Sequence, residues 1–110
     1  MKFLSINKPK DTLTMLPPAV TSQLTEISMA AMNQMKKAGK LLEYYYSPVG
    51  CIVVILNYNN AEEWVKDQLM MPILTFYKQE IYPLADGNEA TKGFMESLKA
   101  AEKMMAGAPK

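Results

Sequence analysis

The sequence predicts an α+β domain in which a four-stranded antiparallel sheet carries two helices on one face and is followed by a further helix. Three observations predict it. The strand-like and helix-like segments follow the order β-α-β-β-α-β-α. Two β-α-β crossovers around a central hairpin form such a sheet. The chain has 110 residues, of which 49% are hydrophobic, enough for one core but not two.

The first half of the chain alternates between strand and helix signals. Residues 2–7 alternate weakly and predict the opening strand, and the polar, turn-rich segment 7–11 predicts a loop. A proline pair at 17–18 suits the first turn of a helix, and Gly39 suits its C-cap. The aromatic segment 41–47 predicts the second strand. Apolar residues at helical spacing predict the buried stripe of the helix, namely Val20, Leu24, Ile27, Ala31, Met35 and Ala38.

The second half contains the most strongly predicted strand. Residues 51–58 are β-branched and apolar on both faces, which is typical of a strand covered on both sides. Asn59 or Asn60 suits the N-cap of a second helix that ends near Pro72. Residues 74–84 predict the last strand. A third helix is predicted at 89–105 from an apolar stripe that comprises Phe94, Leu98, Ala101 and Met105.

The bare face of the predicted sheet indicates self-association. Helices cover only one side, whereas the strand at 51–58 is apolar on both. Packing against a second copy buries the other side and encloses a barrel-like cavity between two sheets. We therefore expect residues 1–86 to form the barrel domain of a homodimer or higher homo-oligomer. Residues 87–110 form a C-terminal helical extension, which we expect to pack across a subunit boundary.

The ionisable residues exclude several classes of function. The twelve cations are all lysines, the chain has no histidine, and the net charge is +1. Ser-His-Asp and Cys-His catalysis and histidine-based metal sites are thereby excluded, and no metal or other cofactor is expected. The small net charge gives no support to nucleic-acid binding. No apolar run reaches the roughly 18 residues of a membrane span, so no membrane partner is expected. The single cysteine, Cys51, excludes an intrachain disulfide, and a buried structural role is expected for it. The absence of a disulfide framework makes the cytoplasm the expected compartment of the protein.

Three stretches resemble a known family. The first is LPPAV at 16–20, which opens a long helix ending in Gly-Lys at 39–40. The second is Val-Gly at 49–50 before the apolar strand, and the third is MPILTFY at 71–77 continuing to EIYPL at 80–84. They are similar to the muconolactone isomerase family. The resemblance implies a ferredoxin-like fold, a dimeric α/β barrel often assembled into decamers, and a cofactor-independent isomerase that shifts a double bond in a small lactone acid.

The chain departs from the family pattern at its reactive positions. The family has a glutamate in the middle of the first long helix, which aligns with Ser28 here, while Glu26 lies on a different face. The family histidine at the start of the second strand is replaced by Leu42, Glu43 or Tyr44. The arginine expected to bind a carboxylate is also missing, so the expected substrate is an apolar or weakly polar small molecule.

Two glutamates are the candidate catalytic residues. Glu43 lies among tyrosines, an environment that raises a carboxyl pKa and suits a general acid or base. The alternative to a catalytic role is that strand alternation points Glu43 to solvent. Glu80 matches a family glutamate, and its alternative is an ion pair with Lys78 at the sheet edge.

The candidate substrate-binding residues are mostly aromatic. Tyr44 and Tyr46 share one strand face and can donate hydrogen bonds to a carbonyl or enolate oxygen, although tyrosine is equally common in cores and interfaces. Tyr58, Ser28 and Phe76 complete the set.

Two functions from different classes fit these residues. The first is a cofactor-independent isomerase or cyclase that moves a proton with Glu43 or Glu80 in the inter-sheet cavity. The second is a ligand-binding or assembly module without chemistry, favoured by the missing family glutamate and histidine. A cofactor-free oxygenase or haem-handling protein is a third interpretation by analogy with other barrels, but the absence of histidine disfavours haem ligation.

Overall fold

The computed structural model describes residues 1–107 as a four-stranded antiparallel sheet with helices on one face and a long helix that extends from it. The elements, in chain order, are β1 Lys2–Pro9, α1 Asp11–Thr14, α2 Pro18–Lys37, β2 Leu41–Tyr46, β3 Ile52–Asn57, α3 Ala61–Gln68, a 3-10 helix Pro72–Phe76, β4 Tyr77–Leu84 and α4 Gly87–Ala106.

The strands lie in the order β2-β3-β1-β4, and all neighbours are antiparallel. This is the ferredoxin-like βαββαβ arrangement, and it confirms the predicted fold class. The hydrophobic core lies between the sheet and the helices. Phe3 stacks on Tyr58 at a ring distance of 6.0 Å and meets the edge of Trp64 at 5.6 Å. The buried cluster consists of Phe3, Met35, Leu41, Val54, Leu56 and Tyr58.

The first strand is longer than the sequence predicts. The predicted strand at 2–7 meets the predicted loop at 7–11 in Asn7, whereas β1 continues through Pro9. Asn7 pairs with Ile52 on one side and with Gln79 on the other. Pairing on both sides places the polar side chain of Asn7 in the interior, and pairing with β4 alone continues the strand through Lys8 and Pro9 against the local turn signal.

The chain also departs from the predicted strand at 74–84. Residues 72–76 form a 3-10 helix, and β4 begins only at Tyr77. Pro72 suits the first helical turn because it has no N–H to satisfy. The carbonyl of Phe76 then accepts a hydrogen bond from the backbone N–H of Lys10 at 2.8 Å, which fixes the entry into β4.

Helix α2 packs with a slightly different face from the predicted one. Ser28 and Met35 are its buried residues, whereas Val20 and Ile27 of the predicted stripe are exposed. Gly39 follows the helix with φ of 74°, a left-handed conformation that glycine adopts without a steric penalty. Because the buried face of the helix includes Ser28, a polar residue lies on the surface that packs against the rest of the domain.

Helix α4 extends away from the domain. Asp86 caps its N-terminus by accepting a hydrogen bond from the backbone N–H of Glu89 at 3.0 Å, and every residue of the helix is exposed. The molecule measures 69 × 31 × 25 Å, with a radius of gyration of 19.8 Å, against about 13 Å for a compact chain of this length. The apolar stripe of α4 therefore does not cover its own sheet. Packing across a subunit boundary stays a prediction, and residues 108–110 of the predicted extension lie outside the described residues.

Within residues 1–107, no helix combines the length and the apolar character that crossing a membrane requires.

Candidate functional site

The two faces of the sheet differ in what covers them. Phe3, Ser5 and Asn7 of β1 are buried beneath α2 and α3, whereas Leu4 and Ile6 alternate with them and are only half-buried. We call the side away from the helices the open face. Its centre is formed by the apolar side chains of Leu4, Ile6, Val53 and Ile55.

Glu43 lies on the open face. It pairs across strands with Ile55, and its side chain is exposed. The hydroxyl of Tyr45 donates a hydrogen bond of 2.7 Å to Glu43 Oε2, and this bond raises the pKa of Tyr45 above its ordinary value. Glu43 and Tyr45 thus form a carboxylate–phenol pair at the β2 edge of the sheet.

Glu80 forms a second carboxylate–phenol pair at the opposite edge. It pairs with Ile6 of β1 and accepts a hydrogen bond of 3.0 Å from the hydroxyl of Tyr82. Its ion pair is with Lys8 at 3.1 Å, so the alternative of an ion pair with Lys78 is wrong in its partner. The reason is that Lys8 lies diagonally across the ladder, within reach of the carboxylate. The hydrogen bond from Lys8, followed by that from Tyr82, holds the pKa of Glu80 below its ordinary value.

The two pairs share a face but not a single pocket within one chain. They lie on the two edge strands, β2 and β4, with β3 and β1 between them. At about 4.8 Å per strand spacing, they are separated by about 14 Å across the sheet. Each carboxylate therefore borders the apolar centre of the open face from its own side.

The predicted tyrosines lie apart from the two glutamates. Tyr44 pairs with Val54 and Tyr46 with Ile52, which places both on the helix side of the sheet. Tyr58 is 3% exposed in the core, and its hydroxyl donates a hydrogen bond of 2.9 Å to Asp67. A single site containing the tyrosines, Glu43 and Glu80 is therefore not assembled by one chain.

The remaining predicted residues lie on the helix side or at its margin. Phe76 ends the 3-10 helix and is half-buried, not placed on a strand as expected. Ser28 is buried, and its Oγ accepts a hydrogen bond of 3.4 Å from the backbone N–H of Ile73. Cys51 precedes β3 and is half-buried, whereas the sequence favoured a buried cysteine.

A cavity of about 40 Å³ lies between the sheet and the helices. Of the predicted site residues, it includes only Ser28. Its lining consists of Ser5, Asn7, Ser28, Met32, Met35, Leu41, Ile52, Val54, Leu56, Trp64, Gln68, Met71, Ile73, Leu74 and Gln79. Among the described residues, no carboxylate or lysine belongs to this lining.

The polar network of this cavity is not predicted by any local sequence pattern. Gln79 Nε2 donates to Ser5 Oγ at 3.0 Å, Asn7 Nδ2 donates to the same oxygen at 3.1 Å, and Gln68 Nε2 donates to Gln79 Oε1. One partial signal was present in the sequence. Ser5 and Asn7 alternate with the apolar Leu4 and Ile6, which indicates that β1 turns small polar residues toward one face.

A second feature that the sequence does not predict joins α3 to the hairpin. Lys40 Nζ lies 2.6 Å from a carboxylate oxygen of Glu63 and 3.0 Å from one of Asp67, and it lies 5.5 Å from the ring centre of Tyr58. These two carboxylates raise the pKa of Lys40, while burial and then the bond to Asp67 raise the pKa of Tyr58. The network stabilises the position of α3 against the sheet.

The Tyr58→Phe variant is expected to lower the free energy of unfolding by about 0.5–1.5 kcal/mol near neutral pH, the usual value of one hydrogen bond. The folded pKa of Tyr58 is raised above its unfolded value, so the stabilisation is complete below about pH 10 and declines as the pH rises toward the folded pKa. The variant lacks this decline. Urea unfolding at about pH 8 and pH 11 should show the two proteins converging; a difference that grows with pH contradicts the assignment.

Comparison with known proteins identifies no family. No family model matches the sequence, and no curated protein matches it. One solved structure that it resembles is the X-ray crystal structure of protein Atu4242 from Agrobacterium tumefaciens, with 15% identity and a TM-score of 0.44. The match covers 79% of this chain and 96% of that chain.

Proposed function

We propose that two copies of the chain pair through their open faces and that the enclosed space binds a small, uncharged or weakly polar molecule. Glu43 or Glu80 then moves a proton of this molecule without a cofactor, in an isomerase- or cyclase-like reaction. One observation carries the proposal: each of the two carboxylates accepts a hydrogen bond from a tyrosine on the same apolar face. Apolar surroundings and a few polar groups are typical of small-molecule sites.

The pairing is supported by the apolar character of the open face. Val53 and Ile55 of the central strand β3 lie in the middle of the sheet and point away from the side that α2 and α3 cover. Tyr82 and Leu84 extend the apolar surface along β4 and are 48% and 39% exposed. Exposed apolar surfaces of this kind mark interaction sites, and a second sheet is the complement of the same shape and chemistry.

The carboxylate–phenol pairs suit a proton shift next to a carbonyl. A glutamate takes a proton from the carbon beside the carbonyl, the double bond moves, and the carboxyl group returns the proton to another carbon. Atoms and electrons balance without an oxidant or reductant. At rest the hydroxyl proton of Tyr45 or Tyr82 is donated to the carboxylate. Once the glutamate has taken up the proton, the tyrosine hydroxyl turns and donates its hydrogen bond to the enolate oxygen that forms in between. Lys8 holds the pKa of Glu80 below its ordinary value, which keeps this carboxylate ionised, as a general base must be, and also makes it a weaker base.

Replacing the carboxylates tests the mechanism. The probe is α-angelica lactone, an uncharged lactone whose isomerisation moves its double bond into conjugation and changes its ultraviolet absorbance. We expect Glu43→Gln or Glu80→Gln to lower turnover by about 10²–10⁴-fold, the usual contribution of a general base. Glu26→Gln is the matched control, because Glu26 is exposed on α2. The mechanism is wrong if both strand variants keep the full turnover of the wild type.

A second candidate is a binding or assembly module without chemistry. It is favoured by the cavity on the helix side, whose described polar side chains are hydroxyls and amides. This candidate predicts that the protein binds small neutral molecules and exchanges none of their protons. Incubation of the lactone with the protein in D₂O separates the two candidates, because an isomerase introduces deuterium at the carbon that receives the proton and a binding module introduces none.

A further inference from the structure

A buried polar atom in the helix-side cavity has no partner. Asn7 is 2% exposed, and its Oδ1 accepts no hydrogen bond within residues 1–107. Leaving such an acceptor unsatisfied costs about 1–3 kcal/mol, so buried acceptors are nearly always paired. The structure therefore contains one unsatisfied buried acceptor on a residue of the cavity lining.

The orientation of the Asn7 amide is set by its neighbours. Its Nδ2 donates to the backbone carbonyl of Ile52 at 3.3 Å and to Ser5 Oγ at 3.1 Å. A carbonyl only accepts, so turning the amide over would bring two acceptors together. The oxygen of the amide is therefore the free group, and Asn7 belongs to the cavity lining.

Two hydroxyl protons complement this acceptor. Ser5 Oγ accepts from both Asn7 and Gln79, and Ser28 Oγ accepts from the backbone N–H of Ile73. A serine hydroxyl that accepts still has its own proton to donate. The polar wall thus offers one acceptor and two donors, and none of its side chains is charged. Its complement is a neutral group that both donates and accepts, such as a hydroxyl or a primary amide.

The shape of the cavity limits the rest of the ligand. A volume of about 40 Å³ accommodates a head group of a few heavy atoms, since one water needs about 10–15 Å³ by this measure. A neighbouring cleft of about 280 Å³ between α3 and the 3-10 helix shares Gln68, Met71 and Leu74 with it. Methionine is flexible, so Met71 can move aside for an aliphatic chain that connects the two spaces.

We propose that this cavity is a binding site for a neutral small molecule with a hydroxyl or primary amide head and a short aliphatic tail. The head hydrogen-bonds Asn7 Oδ1 and the hydroxyls of Ser5 and Ser28, and the tail passes Met71 into the cleft. The site lies on the opposite side of the sheet from Glu43 and Glu80. It therefore stands independently of the proposed reaction on the open face.

Titration of the ¹⁵N-labelled full chain with pentanamide tests the proposal. We expect saturable shifts of the Asn7 side-chain amide and the Ser5 backbone amide. N,N-dimethylpentanamide has the same carbonyl but no N–H to donate, and we expect it to bind at least about tenfold more weakly, a loss typical of one unmade buried hydrogen bond. Equal binding of the two amides overturns the proposal. An ordered water at Asn7 without any saturable shift also overturns it, because the cavity is then a hydration site only.

Two variants locate the site and protect the test against misfolding. Asn7→Leu removes the acceptor and is expected to abolish the pentanamide shifts, whereas Asn33→Leu, at an exposed asparagine of α2, is expected to leave binding unchanged. Met71→Trp narrows the passage without touching the polar wall, so it tests the site even if Asn7→Leu does not fold. Wild-type affinity in a folded Asn7→Leu or in Met71→Trp contradicts the assignment.

Discussion

Leu56→Ala is expected to lower the free energy of unfolding by about 2–5 kcal/mol, the range for truncating a buried leucine. Leu56 is 3% exposed on the central strand β3 and belongs to the main hydrophobic cluster. It also lines the helix-side cavity, so the truncation enlarges a space that already exists. The loss combines the transfer free energy of the removed methyl groups with the cost of the larger cavity.

Urea unfolding followed by circular dichroism measures this loss. The matched control is Leu69→Ala directly after α3, where the leucine is 77% exposed. A surface truncation of this kind changes stability by about 0.5 kcal/mol or less. If the two variants lose the same stability, the core does not lie on the helix side of the sheet as described.

Ile55→Lys is expected to convert a paired protein into single chains. Ile55 directly precedes Leu56 on β3, so its side chain points to the opposite side of the sheet, the open face. A lysine there places a charge in the middle of the proposed apolar interface, and the two-fold symmetry of a homodimer brings two such charges together. Because Ile55 is only half-buried within one chain, the fold itself is expected to survive.

Sedimentation velocity combined with circular dichroism measures both effects for Ile55→Lys. The control is Val65→Lys, an equivalent change on the outer side of α3, where the valine is 47% exposed. This control should sediment like the wild type. A folded Ile55→Lys variant that still sediments as the wild type places the interface elsewhere.

The order of the elements is predictable from the sequence because it depends on local periodicity. The boundaries at residues 7–9 and 74–76 are not, because tertiary contacts decide them. Residues 7–9 belong to a predicted turn, yet Asn7 pairs with both β3 and β4, and residues 8–9 pair with β4. Phe76 reads as part of a strand but closes a 3-10 helix that is bonded to Lys10.

The faces of β2 also depend on a feature that the sequence does not reveal. Leu41 lies on the buried face opposite Leu56, and strict alternation would place Glu43 on that same face. An irregularity in the ladder between Leu41 and Glu43 instead turns Glu43 toward the open face and Tyr44 toward the helices. The separation of the predicted tyrosines from the predicted carboxylate follows from this one-residue shift.

The polar cavity cannot be predicted from local sequence patterns either, because its hydrogen-bonded residues are far apart in the chain. Ser5 and Gln79 are 74 residues apart in the chain, and Ser28 and Ile73 are 45 apart. Only the fold brings them together. Their individual signals are a serine and an asparagine on an apolar strand and a serine on a helix, none of which indicates a shared site.

The central claim is that the open face is covered by a second copy of the chain, and the molar mass in solution tests it most directly. Light scattering of the wild-type protein at micromolar concentration should give about twice the 12.4 kDa of one chain, or a higher even multiple. A mass of one chain under these conditions would contradict the pairing, and with it the enclosed space in which Glu43 and Glu80 are proposed to act.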